Sequence, residues 1–280
     1  MNKYVKYKLP HMDSQAYNEV MGTIQLGVQE GMMVIVLGSP GCGKSKVLRD
    51  FQAANSIAHI ITCSATMTMK DLLRKTAEAL SIHPTGNMSV YQDQICTELK
   101  QNSHILIYDE CEYLFHGNTN KLDTIRQIYD DAITSPIILS GTYKLKSHIV
   151  GKSKEQPQIF RRMLKAEFST VAPDEFNTYL DLLEQEYNVI FQDDARNTLY
   201  TLCLDTENGS LGVMFLVLNL IFVTVRPEWH IISRQLEILN ANPGYNLHQD
   251  FDDYIDVSTL KTVIITNDDV LDALKFKMTK

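Results

Sequence analysis

The chain has 280 residues, of which 44% are hydrophobic, 21% charged and 9% aromatic. These values are typical of a packed globular protein and exclude a disordered or collagen-like chain. The formal net charge of −8 at pH 7 argues against bulk electrostatic binding of nucleic acid, so any such contact needs a local basic patch. The length predicts one large domain with a smaller appendage.

Cysteine usage and the start of the chain predict a cytoplasmic protein. The five cysteines include no Cys-x-x-Cys pair, and no histidines flank them at zinc-ligand spacing, which argues against a structural zinc site. An odd cysteine count and the lack of an apolar leader in Met1–His11 fit a reducing compartment. The most apolar run, Leu211–Val225, is about 15 residues long, whereas a membrane span needs roughly 20. We therefore expect a buried helix there and no membrane partner.

Apolar runs alternate with helical patterns through the first part of the chain. After the first run a helix is expected from Lys44, and a capping box of Thr68 and Asp71 predicts the start of another. Such alternation predicts an α/β fold with a parallel sheet flanked by helices, and ligands at the carboxyl ends of the strands. The expected strands cover residues 32–37, 59–62, 105–108, 136–139 and 165–169.

From about Pro173 onward the apolar residues recur at helical spacing and strand patterns largely disappear. We therefore predict two parts: an α/β core with a short N-terminal helix over residues 1–170, and a helical appendage with a C-terminal extension over residues 171–280.

A glycine-rich loop follows the first expected strand. Its sequence, GSPGCGKS, matches G-x-x-x-x-G-K-[ST] between a buried strand and a helix, which is the context that a phosphate-binding loop (P-loop) requires. Backbone amides of such a loop converge on phosphate oxygens, the lysine neutralises the β- and γ-phosphates, and the serine hydroxyl serves Mg²⁺. The loop therefore predicts binding of ATP and Mg²⁺ by Gly38, Ser39, Pro40, Gly41, Cys42, Gly43, Lys44 and Ser45.

Two acids end the third expected strand. An aspartate beside the P-loop can hold the magnesium shell, and a neighbouring carboxylate can orient or deprotonate the attacking water. We assign Asp109 to the metal together with Ser45, and Glu110 to the water. The pair predicts an ATPase that transfers a phosphoryl group to water.

At this point the sequence resembles the AAA+ ATPases over roughly residues 15–225. More narrowly, Ile105–Leu114 (ILIYDECEYL) resembles the IIDEADRL segment of the transposition regulators TnsC, TniB and MuB, from which Tyr108 and Cys111 depart. Ile137–Leu145 (IILSGTYKL) is similar to their VLVGTxxL segment. The resemblance implies a P-loop AAA+ core with a parallel five-stranded sheet and a small C-terminal helical lid. It also places Thr142, or Ser140, at the position that contacts the γ-phosphate or the lytic water.

Two further segments belong to this resemblance. QIFRRML resembles the segment in which such ATPases offer an arginine to a neighbouring subunit's nucleotide, which makes Arg161 or Arg162 the finger. Gly212 and Val213 stand where many members carry a lid arginine, so the lid is not expected to contact the γ-phosphate directly.

The resemblance implies partners as well. The relatives form helical filaments around duplex DNA, and the residues Thr66, Thr68, Lys70 and Thr85 are weak candidates for phosphate contacts. A basic cluster, comprising Lys144, Lys146, His148, Lys152, Lys154, Arg161, Arg162 and Lys165, is favoured as a subunit interface over a DNA-backbone patch.

The function that follows is an ATP-dependent transposition regulator. It is expected to form a homo-oligomer, a ring or filament, on double-stranded DNA without sequence specificity. It is expected to recruit or activate a transposase, alone or with a target-selection protein, and to disassemble on hydrolysis. Two alternatives stay open: a helicase loader or secretion-associated ATPase, and a nucleotide-gated signalling switch without nucleic acid.

Overall fold

The computed structural model describes residues 9–10, 12, 14–115, 121–132, 135–147, 163–204, 211–243, 245, 247 and 254–278. The chain divides into two compact units: a core of Gln15–Ser169, and a second unit of Thr170–Lys280 together with the described residues of Met1–Ser14. Leu9 and Met12 lie in the apolar cluster of the second unit, and the Tyr179 hydroxyl donates to the Pro10 carbonyl at 2.9 Å. The start of the chain, expected with the core, thus groups with the second unit.

The core contains a five-stranded parallel sheet, which confirms the predicted fold class. Its strands lie in the order β2-β3-β4-β1-β5, so the P-loop strand β1 pairs with β4 on one side and β5 on the other. The carboxyl ends of the central strands therefore meet beside the P-loop. The strands are β1 (Met33–Leu37), β2 (Ala58–Thr62), β3 (Ile105–Asp109), β4 (Ile137–Gly141) and β5 (Met163–Glu167).

Helices cover both faces of this sheet, because alternate strand residues point to opposite sides. Met33, Ile35 and Leu37 pack into one apolar cluster, whereas Val34 and Val36 pack into another. Both faces are thus buried, as the continuous apolar runs predict. The helices are α1 (Gln15–Gln29), α2 (Lys44–Ala54), α3 (Met69–Ala79), α4 (Met88–Gln101) and α5 (Lys121–Asp131).

The second unit is mainly helical, as predicted, but it also contains two short strands. Strands β6 (Val189–Phe191) and β7 (Val263–Ile265) pair in parallel. Each has only three residues, which is too short for a periodic signal, so the sequence did not indicate them. The helices are α6 (Pro173–Tyr187), α7 (Asp193–Leu204), α8 (Leu211–Val225), α9 (Trp229–Ala241) and α10 (Asn267–Met278).

Within the described residues, no single helix is long and apolar enough to cross a membrane. Helices α8 and α9 reach that length and composition only when they are taken together, and they are bent by 115° at the break between them.

Candidate functional site

The glycines of the loop between β1 and α2 are required by its geometry. Gly41 and Gly43 have φ angles of 77° and 111°, in the left-handed region that side chains disfavour. A Cβ on Gly38 would lie 2.4 Å from the Cys42 sulfur and 3.0 Å from the Phe168 Cβ. Any side chain at these positions would strain the loop or displace its neighbours.

Lys44 is held inside this loop. Its Nζ donates to the carbonyls of Gly38 and Ser39, at 2.9 Å each, and the residue is only 9% exposed. Helix α2 begins after Gly43 with no side chain capping its first amides. The ammonium and the positive end of the helix dipole therefore lie beside the same loop, which is the arrangement that binds phosphate.

Asp109 connects three segments at the carboxyl end of the sheet. The Ser45 hydroxyl donates to its Oδ2 at 2.7 Å, and the Ser140 hydroxyl donates to its Oδ1 at 2.8 Å. The Glu110 amide also donates to Oδ1, at 2.9 Å. Asp109 is 7% exposed, and these donors satisfy the oxygens of a side chain that is largely shielded from water. The structure thus brings the predicted metal pair, Ser45 and Asp109, into direct contact.

Glu110 follows Asp109 in an unusual backbone conformation, with a φ of 60°. Its pKa is raised, first by burial and then by the neighbouring charges of Glu112 and Asp109. A carboxylate whose pKa lies closer to neutrality is a better proton acceptor. This environment suits the role that the sequence assigns to Glu110.

The two candidates for the γ-phosphate contact differ in their partners. The Ser140 hydroxyl is bonded to Asp109, whereas the Thr142 Oγ1 is buried and has no hydrogen-bond partner in the described structure. The Thr142 amide donates to Glu112 Oε2 at 3.3 Å. An orphaned buried hydroxyl at this place is free to bond a ligand, which favours Thr142.

Two residues near the site carry no motif signal and were missed. Phe168 lies 6% exposed under the P-loop, where its amide donates to the Leu37 carbonyl at 2.8 Å. A Cβ on Gly43 would lie 3.6 Å from the Phe168 ring. Glu112 reads in the sequence as one more acid after Glu110, and only the fold brings its carboxylate to Thr142.

The candidate DNA-binding residues belong to segments other than those that form this arrangement. Thr66, Lys70 and Thr85 are exposed. Thr68 is the N-cap of α3: the Asp71 amide donates to its hydroxyl, and its own amide donates back to the Asp71 carboxylate. Thr68 is therefore already occupied by a structural role.

The basic cluster is only partly within the described residues. Lys146 forms an ion pair with Glu167 at 3.3 Å, and Lys165 pairs with the same carboxylate. Glu167 thus offsets part of the positive charge expected there. The two candidate fingers, Arg161 and Arg162, lie outside the described residues, as do His148, Lys152 and Lys154.

Residues 28–149 match the family described as an AAA domain. The fold is that of a P-loop AAA+ core. A search of curated protein sequences found no match.

Solved structures support the same fold. The ORC1 protein of Aeropyrum pernix, solved in complex with DNA, is 15% identical, with a TM-score of 0.55 over 85% of this chain and 68% of that chain. A Walker-type ATPase of Pyrococcus abyssi is 16% identical, with a TM-score of 0.56 over 85% of this chain and 79% of that one. The ORC2 protein of A. pernix, in ADPNP and ADP complexes, is 11% identical, with a TM-score of 0.54 over 88% and 72%. At these identities the likeness establishes the fold.

Proposed function

We propose that this chain binds ATP with Mg²⁺ and hydrolyses it to ADP and phosphate. The observation that carries the proposal is the junction at Asp109, where hydroxyls from the P-loop and from β4 meet one buried carboxylate. Lys44 lies in the same loop as Ser45, with its ammonium directed at the loop carbonyls. Phosphoryl transfer needs this combination of phosphate-binding backbone, lysine, metal-side oxygens and a nearby base.

The oxygen donors fit magnesium. Ser45 and Asp109 offer a hydroxyl and a carboxylate, the hard oxygen ligands that Mg²⁺ prefers, and they already lie within 2.7 Å of each other. When bound, the ion supplies positive charge that neutralises the phosphate oxygens as charge develops. The protein's own part is to hold these two ligands on the P-loop and on β3.

Each remaining residue has one task in this proposal. The loop amides and Lys44 bind the phosphates, Glu110 orients the attacking water and accepts its proton, and Thr142 donates its free hydroxyl to the γ-phosphate or to that water. Glu110 is suited to its task by its raised pKa. Thr142 is suited by its unpartnered, buried Oγ1.

We further propose that the chain works as a homo-oligomer. In this assembly Arg161 or Arg162 of one subunit reaches the nucleotide of the next, where a planar guanidinium can meet phosphate oxygens at two points. The support is the QIFRRML sequence alone. Changing both arginines to alanine should lower assembly-dependent turnover by about 10³-fold while leaving ATP affinity unchanged. Unaltered turnover in that double variant would remove the finger from the proposal.

The proposed task of this ATPase is transposition regulation. The ATP-bound oligomer would assemble on duplex DNA in the cytoplasm, recruit a transposase and disassemble on hydrolysis. Two sequence segments support it, Ile105–Leu114 and Ile137–Leu145, through their resemblance to TnsC, TniB and MuB. The ORC1 protein with a similar fold was solved in complex with DNA, which agrees with a DNA-related task.

Electron microscopy of the purified protein tests this task. Samples contain a slowly hydrolysed ATP analogue, with and without duplex DNA, at two salt concentrations. Helical or stacked rings that form on DNA only with nucleotide, and weaken with salt, are expected because phosphate contacts release counterions. Particles that look the same with and without DNA would contradict the transposition role and favour a loader or a signalling switch. The proposed ATPase chemistry would be unaffected by that result.

A further inference from the structure

Glu112 lies two residues beyond the proposed base, in the short 3₁₀ helix Cys111–Phe115 that follows β3. Its carboxylate does not point along its own helix to a local partner. Oε2 accepts a hydrogen bond from the Thr142 amide, at 3.3 Å, at the end of the neighbouring strand β4. One side chain thus links the segment that carries Glu110 to the segment that carries the orphaned hydroxyl.

Gly141 gives independent evidence that this contact is built into the site. Its φ is not in the left-handed region, so the backbone does not itself require glycine. A Cβ there would lie 2.7 Å from Glu112 Oε2 and 2.9 Å from Leu145 Cδ2. Real Cβ atoms essentially never approach other atoms so closely, so the carboxylate would be displaced. The glycine therefore leaves room beside the β4 backbone for two side chains, those of Glu112 and Leu145.

The contact has a direct consequence for Thr142. Its amide is bonded to Glu112 while its Oγ1 is buried and unpartnered. A helical turn starts next to it, and the Leu145 amide donates to the Thr142 carbonyl at 2.9 Å. With both backbone groups held, the backbone of Thr142 is fixed and so is the point from which its side chain projects, which is the kind of preorganisation that favours catalysis.

We propose that Glu112 is a positioning residue of this site: its carboxylate holds the Thr142 amide, and so aims the Thr142 hydroxyl, and Gly141 is glycine to accommodate it. The inference rests on the proposed ATPase function. It predicts that Glu112 acts through Thr142 and does not contact the nucleotide.

The first test compares steady-state ATP hydrolysis and nucleotide affinity in Glu112→Ala and Glu112→Gln. Loss of a positioning contact should lower kcat about tenfold in Glu112→Ala and leave the Kd of a fluorescent ATP analogue within about twofold. Glu112→Gln loses the charge of Glu112 but keeps an acceptor oxygen, and burial, the first cause of the raised Glu110 pKa, is unchanged, so this variant should recover most of the kcat. A glutamine variant as slow as the alanine variant would overturn the hydrogen-bonding role.

Asp130→Asn is the control, since Asp130 pairs with Arg126 on the surface of α5 and should show wild-type kinetics. Circular dichroism checks that each variant folds. If Glu112→Ala does not fold, Glu112→Leu replaces it, because leucine keeps much of the side-chain volume.

The second test asks whether Glu112 acts through Thr142, by combining their variants. The double variant Glu112→Ala with Thr142→Val should be no slower than Thr142→Val alone, because residues in one chain of contacts are not additive. Gly141→Ala should also lower kcat, and by less when Glu112 is already alanine. Fully additive losses in both combinations would overturn the proposal.

The third test measures the contact without turnover. Hydrogen exchange of the nucleotide-free protein, resolved at the Thr142 amide, should speed up in Glu112→Ala and stay unchanged in Asp130→Asn. Unchanged exchange in Glu112→Ala would overturn the inference even if turnover fell.

The outcomes separate the two proposals. A wild-type chain that binds no ATP overturns the proposed function and this inference with it. A wild-type chain that hydrolyses ATP at the same kcat as Glu112→Ala overturns this inference alone.

Discussion

The core and the second unit use their buried polar side chains differently. In the core, polar groups converge at the carboxyl ends of the central strands, where Ser45, Asp109 and Ser140 meet. The Thr142 hydroxyl has no hydrogen-bond partner there among the described residues. In the second unit, Arg226 is 4% exposed, and its Nη2 donates to the carbonyls of Asn188 and Lys261 at 2.7 and 2.8 Å. Its Nε and the Oε2 of Glu186 are buried without a partner among the described residues.

Other buried polar groups of the second unit also bond to their own unit. The Tyr187 hydroxyl lies 2.7 Å from the Ser233 hydroxyl. Gln235 both donates to the Ile255 carbonyl and accepts from the Ile255 amide, at 3.1 Å each. In the core, polar side chains from separate segments meet beside the P-loop, whereas in the second unit the bonded groups join segments of that unit and stabilise its fold. The difference is that a ligand site needs several polar groups gathered at one place, and a single unpaired atom does not make one.

The largest expected effect tests whether the polar groups of the core bind phosphate. Lys44→Ala removes the ammonium that lies in the P-loop, so the affinity for ATP should fall by at least about 100-fold because phosphate charge is no longer neutralised. Isothermal titration calorimetry measures the affinity of each variant for ATP. Lys46→Ala is the matched control, since Lys46 lies in the same helix turn but pairs with Asp50, and its affinity should stay within about twofold. Equal affinities for the two variants would contradict the P-loop assignment.

Next in size is the loss of the proposed base. Glu110→Gln keeps the shape of the side chain but cannot accept a proton, so kcat should fall by about 10²-fold or more while ATP affinity is retained. Single-turnover hydrolysis of radiolabelled ATP separates chemistry from binding. Turnover at the wild-type rate in this variant would remove Glu110 from its proposed role.

A third change addresses the second unit. Arg226→Leu removes the side-chain donor from the Lys261 carbonyl and leaves the Asn188 carbonyl with the Val263 amide at 3.3 Å, which should lower the free energy of unfolding of this unit by about 2–3 kcal/mol. Trp229 is the sole tryptophan and lies in this unit at 8% exposure, so its fluorescence in urea reports this unit directly.

The control for Arg226→Leu is Arg234→Ala, because Arg234 is exposed on α9. ATP affinity should be unchanged in both variants. A large loss of ATP affinity in Arg226→Leu, with the fold intact, would show that Arg226 serves the ligand and would break the comparison.

The smallest expected effect is a pH dependence of the stability of the core, caused by His59 on the outer strand β2. His59 Nε2 and His104 Nδ1 are 3.1 Å apart, and His104 Nε2 is 3.1 Å from Glu98 Oε1. The pKa of His59 is lowered from its usual 6.5, first by burial and then by the charge of His104. The unfolded chain therefore binds a proton on His59 more tightly than the folded chain does. The stability that neutral His59 contributes to the folded core is present above pH 6.5 and is lost as the pH falls through the pKa of His59 in the folded chain.

Thermal melts followed by circular dichroism check this sign. Between pH 7.5 and pH 5.5 the wild-type Tm should fall further than that of His59→Gln, by about 2 °C. The reverse order would mean that the charged form of His59 is favoured in the folded core. Glutamine is a suitable replacement because it keeps a hydrogen-bonding group beside His104.

Much of the core could be predicted from the sequence, because its information is local. The apolar runs that became β1, β3 and β4 are continuous, as strands buried on both faces must be. The positions of the P-loop glycines, Lys44 and Asp109 could be predicted from local sequence, since the loop lies between β1 and α2 and Asp109 is the last residue of β3. The capping box at Thr68 could also be predicted from the sequence, because all its contacts lie within three residues.

Only the tertiary structure decided how these segments meet. Ser140 bonds Asp109 because β4 lies beside β3, whereas Thr142 comes after the last residue of β4 and its amide bonds Glu112 instead. Phe168 supports the P-loop because β5 pairs with β1. Glu112 reaches the Thr142 amide across the same strand pair. These contacts join residues distant along the chain, so the sequence by itself determined the chemical groups of the site, and strand order determined which of them touch.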